Sequence, residues 1–167
     1  SSKQVIDFFM KNENDSLVLM GNHEHMMIDE YRQTHQYESG IWTYNGGYTT
    51  LESFQDNIST EVIDWLASRK IFEKLEIDGK TFFISHAFKP SSRSLDETGS
   101  DLMRKLWNRN GPIFNSESAD VQICGHNSQW SLKYFKSTYD DKIGISIDTS
   151  RENILTGIHL PSMKIYQ

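Results

Sequence analysis

The spacing of apolar residues predicts a chain that begins with helices and ends with strands. In several stretches apolar side chains recur every three or four positions, which is typical of one face of a helix. These helices are predicted at 2–12, 25–33, 50–54, 60–70 and within 95–110. Ser59 or Thr60 can cap the 60–70 helix, and Glu61 lies in its positive first turn.

Short apolar runs and turn residues predict the strands. The runs 17–20 and 121–124 are typical of strands that are buried in a sheet. Segments 72–77 and 81–85 flank Asp78-Gly79, a dipeptide that favours the type I′ turn of a β-hairpin. Further strands are predicted at 132–135, 143–148, 154–160 and 163–166. We therefore predict a single domain, 1–167, of mixed α and β class (α/β, α+β) with much antiparallel pairing.

Three of the predicted strands run almost directly into a histidine. These histidines and the runs they follow are His23 after 17–20, His86 after 81–85 and His126 after 121–124. Ligand sites gather at the carboxyl ends of strands, and imidazole is the commonest metal ligand. A lone histidine in such a place is more often a structural residue, but three copies of one pattern favour a metal site. The other histidines are expected to be solvated or to serve packing: His25, His35 and His159.

Composition limits the classes of partner and the cellular compartment that we expect for this chain. The 167 residues carry a net charge of −6, which argues against a nucleic-acid surface, since such a surface needs a Lys/Arg stripe. An anionic substrate would then need metal ions to supply local positive charge. No apolar run approaches the roughly 18 residues of a membrane helix, and no signal peptide is recognisable. Because Cys124 is the one cysteine, a disulfide within the chain is excluded, and we expect a reducing, cytoplasmic location.

The histidine segments belong to an ordered set of motifs. The set consists of Gly21-Asn22-His23-Glu24, Tyr44-Asn45-Gly46-Gly47, Thr50-Leu51-Glu52-Ser53, Ser85-His86-Ala87, Trp107-Asn108-Arg109, Gly125-His126-Asn127 and Ile147-Asp148-Thr149. In order and spacing it resembles the phosphoprotein phosphatases, a family of calcineurin-like metallophosphoesterases, and in particular their bacterial and phage serine/threonine branch. The family's usual GHT is replaced here by GHN, and its terminal IDTGC by an aspartate followed by Thr149-Ser150-Arg151.

The resemblance implies a role for each of five residues. Asn22, His86 and His126 would converge as ligands of one divalent metal ion, Mn first, with Fe and Zn as alternatives. His23 would be the general acid that protonates the leaving oxygen. Arg109 would grip the phosphate with its planar guanidinium. The implied fold is a metallophosphoesterase-type β-sandwich flanked by helices.

Two motifs that come earlier in that family, GDxHG and GDxxDRG, do not occur in this sequence. They would supply the first metal's ligands, the aspartate that bridges both metals, and a second arginine. The segment 1–7 resembles the stretch that follows DRG, so the chain corresponds to the C-terminal two-thirds of the domain, without its N-terminal strands, and carries half of a two-metal site. We therefore expect the chain by itself to have little activity. We also expect it to associate with itself or with a missing N-terminal segment through an unpaired edge at 17–20.

The expected function is metal-dependent hydrolysis of phosphomonoesters, first of all phosphoserine and phosphothreonine in proteins. The expected partners are a phosphorylated protein or a small phosphoester, with neither nucleic acid nor membrane. Two alternatives stay open: a dinucleoside tetraphosphatase, which shares these motifs, and a non-catalytic fragment or pseudophosphatase that binds partners. Glu24 and Asp148 are expected to have structural roles or to contact the site residues, rather than to bind metal.

Overall fold

The computed structural model describes residues 1–89 and 99–167, without the side chains of 99–101. These residues form two compact units, unit 1 (Ser1–Lys70) and unit 2 (Ile71–Gln167). The mixed α and β class predicted from the sequence is confirmed. The single domain stays a prediction. None of the helices in the described ranges is long and apolar enough to cross a membrane.

Unit 1 is built from helices. They are α1 (Ser2–Lys11), α2 (Asn22–Arg32), α3 (Tyr48–Ser53) and α4 (Thr60–Ala67), with a kinked, irregular turn at Thr43–Gly47. The predicted cap of α4 is confirmed, because Ser59 Oγ accepts a hydrogen bond from the Val62 N–H at 3.4 Å. Helix α2 packs against α4, and their buried apolar side chains are Met26, Met27, Ile28, Val62, Ile63 and Leu66.

Helix α2 starts three residues earlier than the apolar pattern indicates. Gly21 before it is extended, with φ −106° and ψ 178°, and its N–H donates to the Glu24 carboxylate at 2.9 Å. This cap lets the helix begin at Asn22, so that Asn22 and His23 lie in its first turn rather than in a loop. The first turn is polar, and for that reason apolar spacing does not reveal it.

The predicted strand at 17–20 is not formed. The segment makes a single parallel bridge, between Leu19 and Lys70, and the Met20 N–H donates to the Lys70 carbonyl at 2.8 Å. Leu17 is 54% exposed, so the segment is not buried on both faces. The prediction was wrong because an apolar run becomes a strand only where a neighbour pairs with it along its length.

Unit 2 contains a five-stranded sheet with parallel and antiparallel pairs. Its strands are β1 (Phe72–Ile77), β2 (Lys80–Ser85), β3 (Val121–Cys124), β4 (Lys133–Lys136) and β5 (Ile143–Ser146), and α5 (Gly99–Trp107) precedes β3. The spatial order is β1-β2-β3-β5-β4, with parallel β2–β3 and β3–β5 pairs between antiparallel outer pairs. The β1–β2 hairpin is confirmed, since Asp78 and Gly79 have φ of 51° and 73°, as a type I′ turn requires. Positions 95–98 of the predicted helix lie outside the described residues.

The two faces of this sheet are packed differently. One face forms an apolar core of Phe82, Val121, Ile123 and Ile145, covered by Ile158, Leu160 and Met163 from the hairpin of β6 (Gly157–His159) and β7 (Lys164–Tyr166). The opposite face buries polar side chains as well, among them Gln122, Cys124 and Ser146. The Gln122 amide donates to the Ile113 carbonyl at 3.0 Å, so this polar group is satisfied in the interior.

A buried histidine ties the start of α2 to the loop that follows it. His25 Nδ1 lies 2.9 Å from the Tyr37 hydroxyl, and one turn later the Asp29 carboxylate accepts the N–H groups of Gln36 and Tyr37 at 2.9 and 3.2 Å. Burial lowers the pKa of His25, although the charge of Asp29 opposes that shift. His25 therefore has a packing role, as predicted from the sequence.

This arrangement predicts that unit 1 loses stability in mild acid. The folded state holds His25 neutral, so the unfolded chain takes up a proton first as the pH falls through the ordinary pKa of 6.5. The stabilisation is present above that pH and is lost as the pH approaches the lowered pKa. Urea unfolding of the wild type should show the free energy of unfolding decrease between about pH 7.5 and 5. The decrease should be smaller in His25→Gln. A full decrease in His25→Gln would assign the pH dependence to another group.

Candidate functional site

Two of the predicted site residues in unit 2 lie side by side. His86 Nε2 and His126 Nδ1 are 2.9 Å apart, and the two ring centroids are 4.8 Å apart. The cause is the register of the sheet: β2 and β3 are parallel neighbours in which Ser85 pairs with Cys124, so the residues that follow both strands emerge at one edge. The Gly125 N–H donates to the His86 carbonyl at 2.9 Å and extends this pairing past the strand ends.

The backbone at His126 is held in an uncommon conformation. Its φ is 63°, in the left-handed region, and the next N–H, that of Asn127, donates back to the Gly125 carbonyl at 2.8 Å. A non-glycine residue in such a region costs on the order of 1–3 kcal/mol and persists only where the surroundings fix it. The tight turn directs the His126 ring toward His86, and strain of this kind is typical of functional sites.

The end of helix α5 is attached to both histidine loops. Trp107 packs edge-on against His126, with ring centroids 5.9 Å apart. The Asn108 amide donates to the Phe88 carbonyl at 2.7 Å, two residues after His86. Arg109 is exposed, and its Nη1 donates to Asn127 Oδ1 at 3.4 Å. The structure thus connects Arg109 to the residue that follows His126, within one unit.

The distance between the two imidazole nitrogens fits a shared metal ion. Two nitrogens that bind one ion at about 2.1 Å and at about a right angle lie roughly 3.0 Å apart. The same distance suits an N–H···N hydrogen bond, whose proton a metal would displace on binding. Within 1–89 and 99–167 no three His, Cys, Asp or Glu side chains group together as a metal site.

The remaining predicted residues, Asn22 and His23, belong to unit 1. Asn22 is buried and His23 is exposed, both in the first turn of α2. His23 lines a cavity of about 380 Å³, together with the N-terminal end of α1 and residues of the Asn45-Gly46-Gly47 stretch. A Cβ added at Gly47 would lie 2.5 Å from the ring of Trp42, so this position excludes a side chain. Glu24, which also lines the cavity, caps α2 through Gly21.

A larger cavity, of about 740 Å³, lies in unit 2 and contains none of the predicted site residues. It opens between the β1–β2 hairpin and the loop before β3. Two of its charged groups bond to neighbouring residues. Lys142 Nζ donates to the Asn115 carbonyl at 2.9 Å and to the Asp140 carboxylate at 2.8 Å. The Asp120 carboxylate accepts two hydrogen bonds from Thr81, which lower its pKa.

Sequence reasoning missed three residues that shape the histidine site. Trp107, Asn108 and Asn127 lie inside the recognised motifs, but only Arg109 and His126 were given roles there. Their contacts cross 18 to 20 positions of the chain, so neither apolar periodicity nor local spacing could assign them. The one usable signal was adjacency to a residue with a predicted role.

Comparison with known proteins gives little further information. No family model matches the chain, and no curated protein matches it. A solved structure described as that of a novel archaeal phosphodiesterase is similar over 64% of this chain and 56% of that one. The identity is 16% and the TM-score is 0.29, and the chain spans just over half the length of that structure.

The thiol that precedes the Gly125-His126 turn is predicted to be inert. Cys124 is 2% exposed, and burial raises its pKa to about 12, with a further contribution from the charge of Asp148. The thiolate is the form of cysteine that reacts as a nucleophile. Iodoacetamide at about pH 8 should therefore leave Cys124 unmodified in the folded protein. It should alkylate Cys124 in roughly 8 M urea, a concentration that unfolds a small domain. Mass spectrometry measures both states. Rapid alkylation of the native protein would show that the thiol is accessible or activated.

Proposed function

We propose that the chain is a metal-dependent hydrolase of phosphomonoesters, with phosphoserine and phosphothreonine in proteins as its first substrates. The observation that carries this proposal is the His86–His126 pair, at a spacing that suits one ion, with the Arg109 guanidinium bonded to Asn127, the residue after His126. The ordered motifs of the sequence support the same reaction.

Imidazole and amide ligands suit a borderline first-row ion, so Mn is the proposed metal, with Fe and Zn as alternatives. His86 and His126 would bind it, and the proposal adds the Asn22 amide oxygen as a third ligand. When bound, such an ion supplies positive charge to the phosphate and lowers the pKa of a bound water. That charge would allow a protein with a net charge of −6 to take an anionic substrate.

Arg109 is proposed to bind the phosphate. A guanidinium presents two parallel N–H groups that match two phosphate oxygens, and Arg109 is exposed and therefore accessible to a ligand. It is held near the histidine pair by Asn127 and by the anchoring of the α5 end. A phosphate bound to this guanidinium would lie next to the proposed metal ligands.

His23 is proposed as the general acid. The hydroxyl group of serine leaves poorly as an alkoxide, so a proton must reach the leaving oxygen as the P–O bond breaks. The His23 imidazole is exposed at the start of a helix and beside a cavity, where a substrate can approach it. Asn22, in the same turn, is buried, so the two side chains lie in different environments.

The histidine pair predicts metal binding that depends on both rings. His86→Ala and His126→Ala should each weaken Mn²⁺ binding by at least about 100-fold, since loss of even an indirect partner of a metal ligand costs 10- to 100-fold. Isothermal titration and metal analysis of the purified protein measure this. His159→Ala is the matched control, because His159 lies in β6 and bonds Ser162. Unchanged affinity in either single variant would remove that ring from the metal site.

The proposed acid predicts a loss that depends on the leaving group. His23→Asn should lower kcat for a phosphoserine peptide by roughly 10²- to 10⁴-fold. The loss should be much smaller with p-nitrophenyl phosphate, whose leaving group needs no proton. Metal content should stay at the wild-type level. Equal losses on both substrates, or loss of metal, would show that His23 is not the general acid.

A further inference from the structure

The side chain of Asn127 makes two hydrogen bonds to a single residue, Arg109. Its Oδ1 accepts from the Arg109 Nη1 at 3.4 Å, and its Nδ2 donates to the Arg109 main-chain carbonyl at 3.1 Å. A guanidinium can only donate and a carbonyl can only accept, so one orientation of the amide satisfies both contacts. The amide therefore closes a ring that includes the backbone and the charged end of Arg109.

Such a ring restricts a side chain that is otherwise free to move. Arg109 lies two residues after the end of α5 and is exposed, and an arginine in that position can adopt many rotamers. A phosphate-binding group that is ordered before the ligand arrives loses less freedom on binding. The hydrogen bond to Asn127 Oδ1 reaches the Arg109 guanidinium itself.

Asn127 is in turn fixed to the histidine pair. Its N–H donates to the Gly125 carbonyl at 2.8 Å across His126, whose φ of 63° sets the course of the turn. The position of the amide is therefore coupled to the position of the His126 ring. From the other side, the Asn108 amide anchors the end of α5 to the loop that follows His86.

We propose that Asn127 is a positioning residue, which holds the Arg109 guanidinium beside the His86–His126 pair in readiness for phosphate. The inference rests on the proposed role of Arg109 in phosphate binding. Asparagine suits this task because its amide carries an acceptor and a donor on separate atoms. A serine or threonine hydroxyl has one oxygen, which would have to reach both Arg109 groups at once. An aspartate would keep the acceptor and lose the donor.

The test compares Asn127→Ala, Asn127→Asp and Arg109→Ala, and the double variant Asn127→Ala/Arg109→Ala. Asn110→Ala is the control, since its exposed side chain neighbours Arg109 and makes none of the hydrogen bonds described above. One measurement is ¹⁵N relaxation of the Arg109 Nε–Hε group in the protein without ligand. The other is steady-state kinetics on a phosphoserine peptide with Mn²⁺, including inhibition by inorganic phosphate.

Asn127→Ala should increase the mobility of the Arg109 Nε–Hε group and raise both KM and the phosphate inhibition constant roughly tenfold, about the effect of one lost hydrogen bond. The value of kcat should change less than about twofold, because the proposed metal ligands and acid are untouched. Asn127→Asp should keep Arg109 ordered but weaken phosphate binding, since its carboxylate competes for the guanidinium. In the Arg109→Ala background the Asn127 substitution should have no further effect.

Two results would overturn the inference. Unchanged order of Arg109 in Asn127→Ala would show that the amide does not hold the guanidinium. A kinetic loss that persists undiminished in the Arg109→Ala background would show that Asn127 acts by another route. Failure of the proposed function is distinguishable from both: the wild type would neither hydrolyse the peptide nor bind phosphate, while the relaxation measurement still decides whether Asn127 orders Arg109.

Discussion

The parallel pairing of β2 with β3 is the interaction on which the candidate site depends. Ser85 lies opposite Cys124, so the residues after both strands leave the sheet at the same level, and the Gly125 N–H continues the pairing onto the His86 carbonyl. A slip of one residue would turn every side chain of the strand to the other face of the sheet and separate the two rings. The apolar core on one side of the sheet, centred on Phe82 and Ile123, fixes this register.

The free-energy cost of the strained residue in the site is offset by the stability of the packed core. The left-handed residue at His126 is unfavourable by itself, and it is compensated by its neighbours: the edge-on Trp107 ring, the turn closed by Asn127 and the paired strand ends. The buried Cys124, two residues before it, adds packing. The strained loop is thus carried by rigid elements, which is the arrangement that keeps a binding group in place.

The sequence predicts most strands and helices because their signals are local. Asp78-Gly79 specifies its turn and Ser59 its cap, and the structure has both. The stretch 17–20 was misjudged because burial and pairing depend on neighbours that a local pattern does not contain. The site divides in the same way: the histidines follow strands that can be recognised, whereas the contacts of Asn127 with Arg109 join distant parts of the chain. The roles proposed for Asn22 and His23 come from the motif and stay predictions.

The outer strands of the sheet expose charged side chains. The edge strand β4 exposes Lys133 and Lys136, and the other edge strand, β1, exposes Lys74 and Glu76. A further strand that docked on either edge would have to strip water from these charges. Charges at both edges therefore oppose the growth of this sheet by addition of like strands.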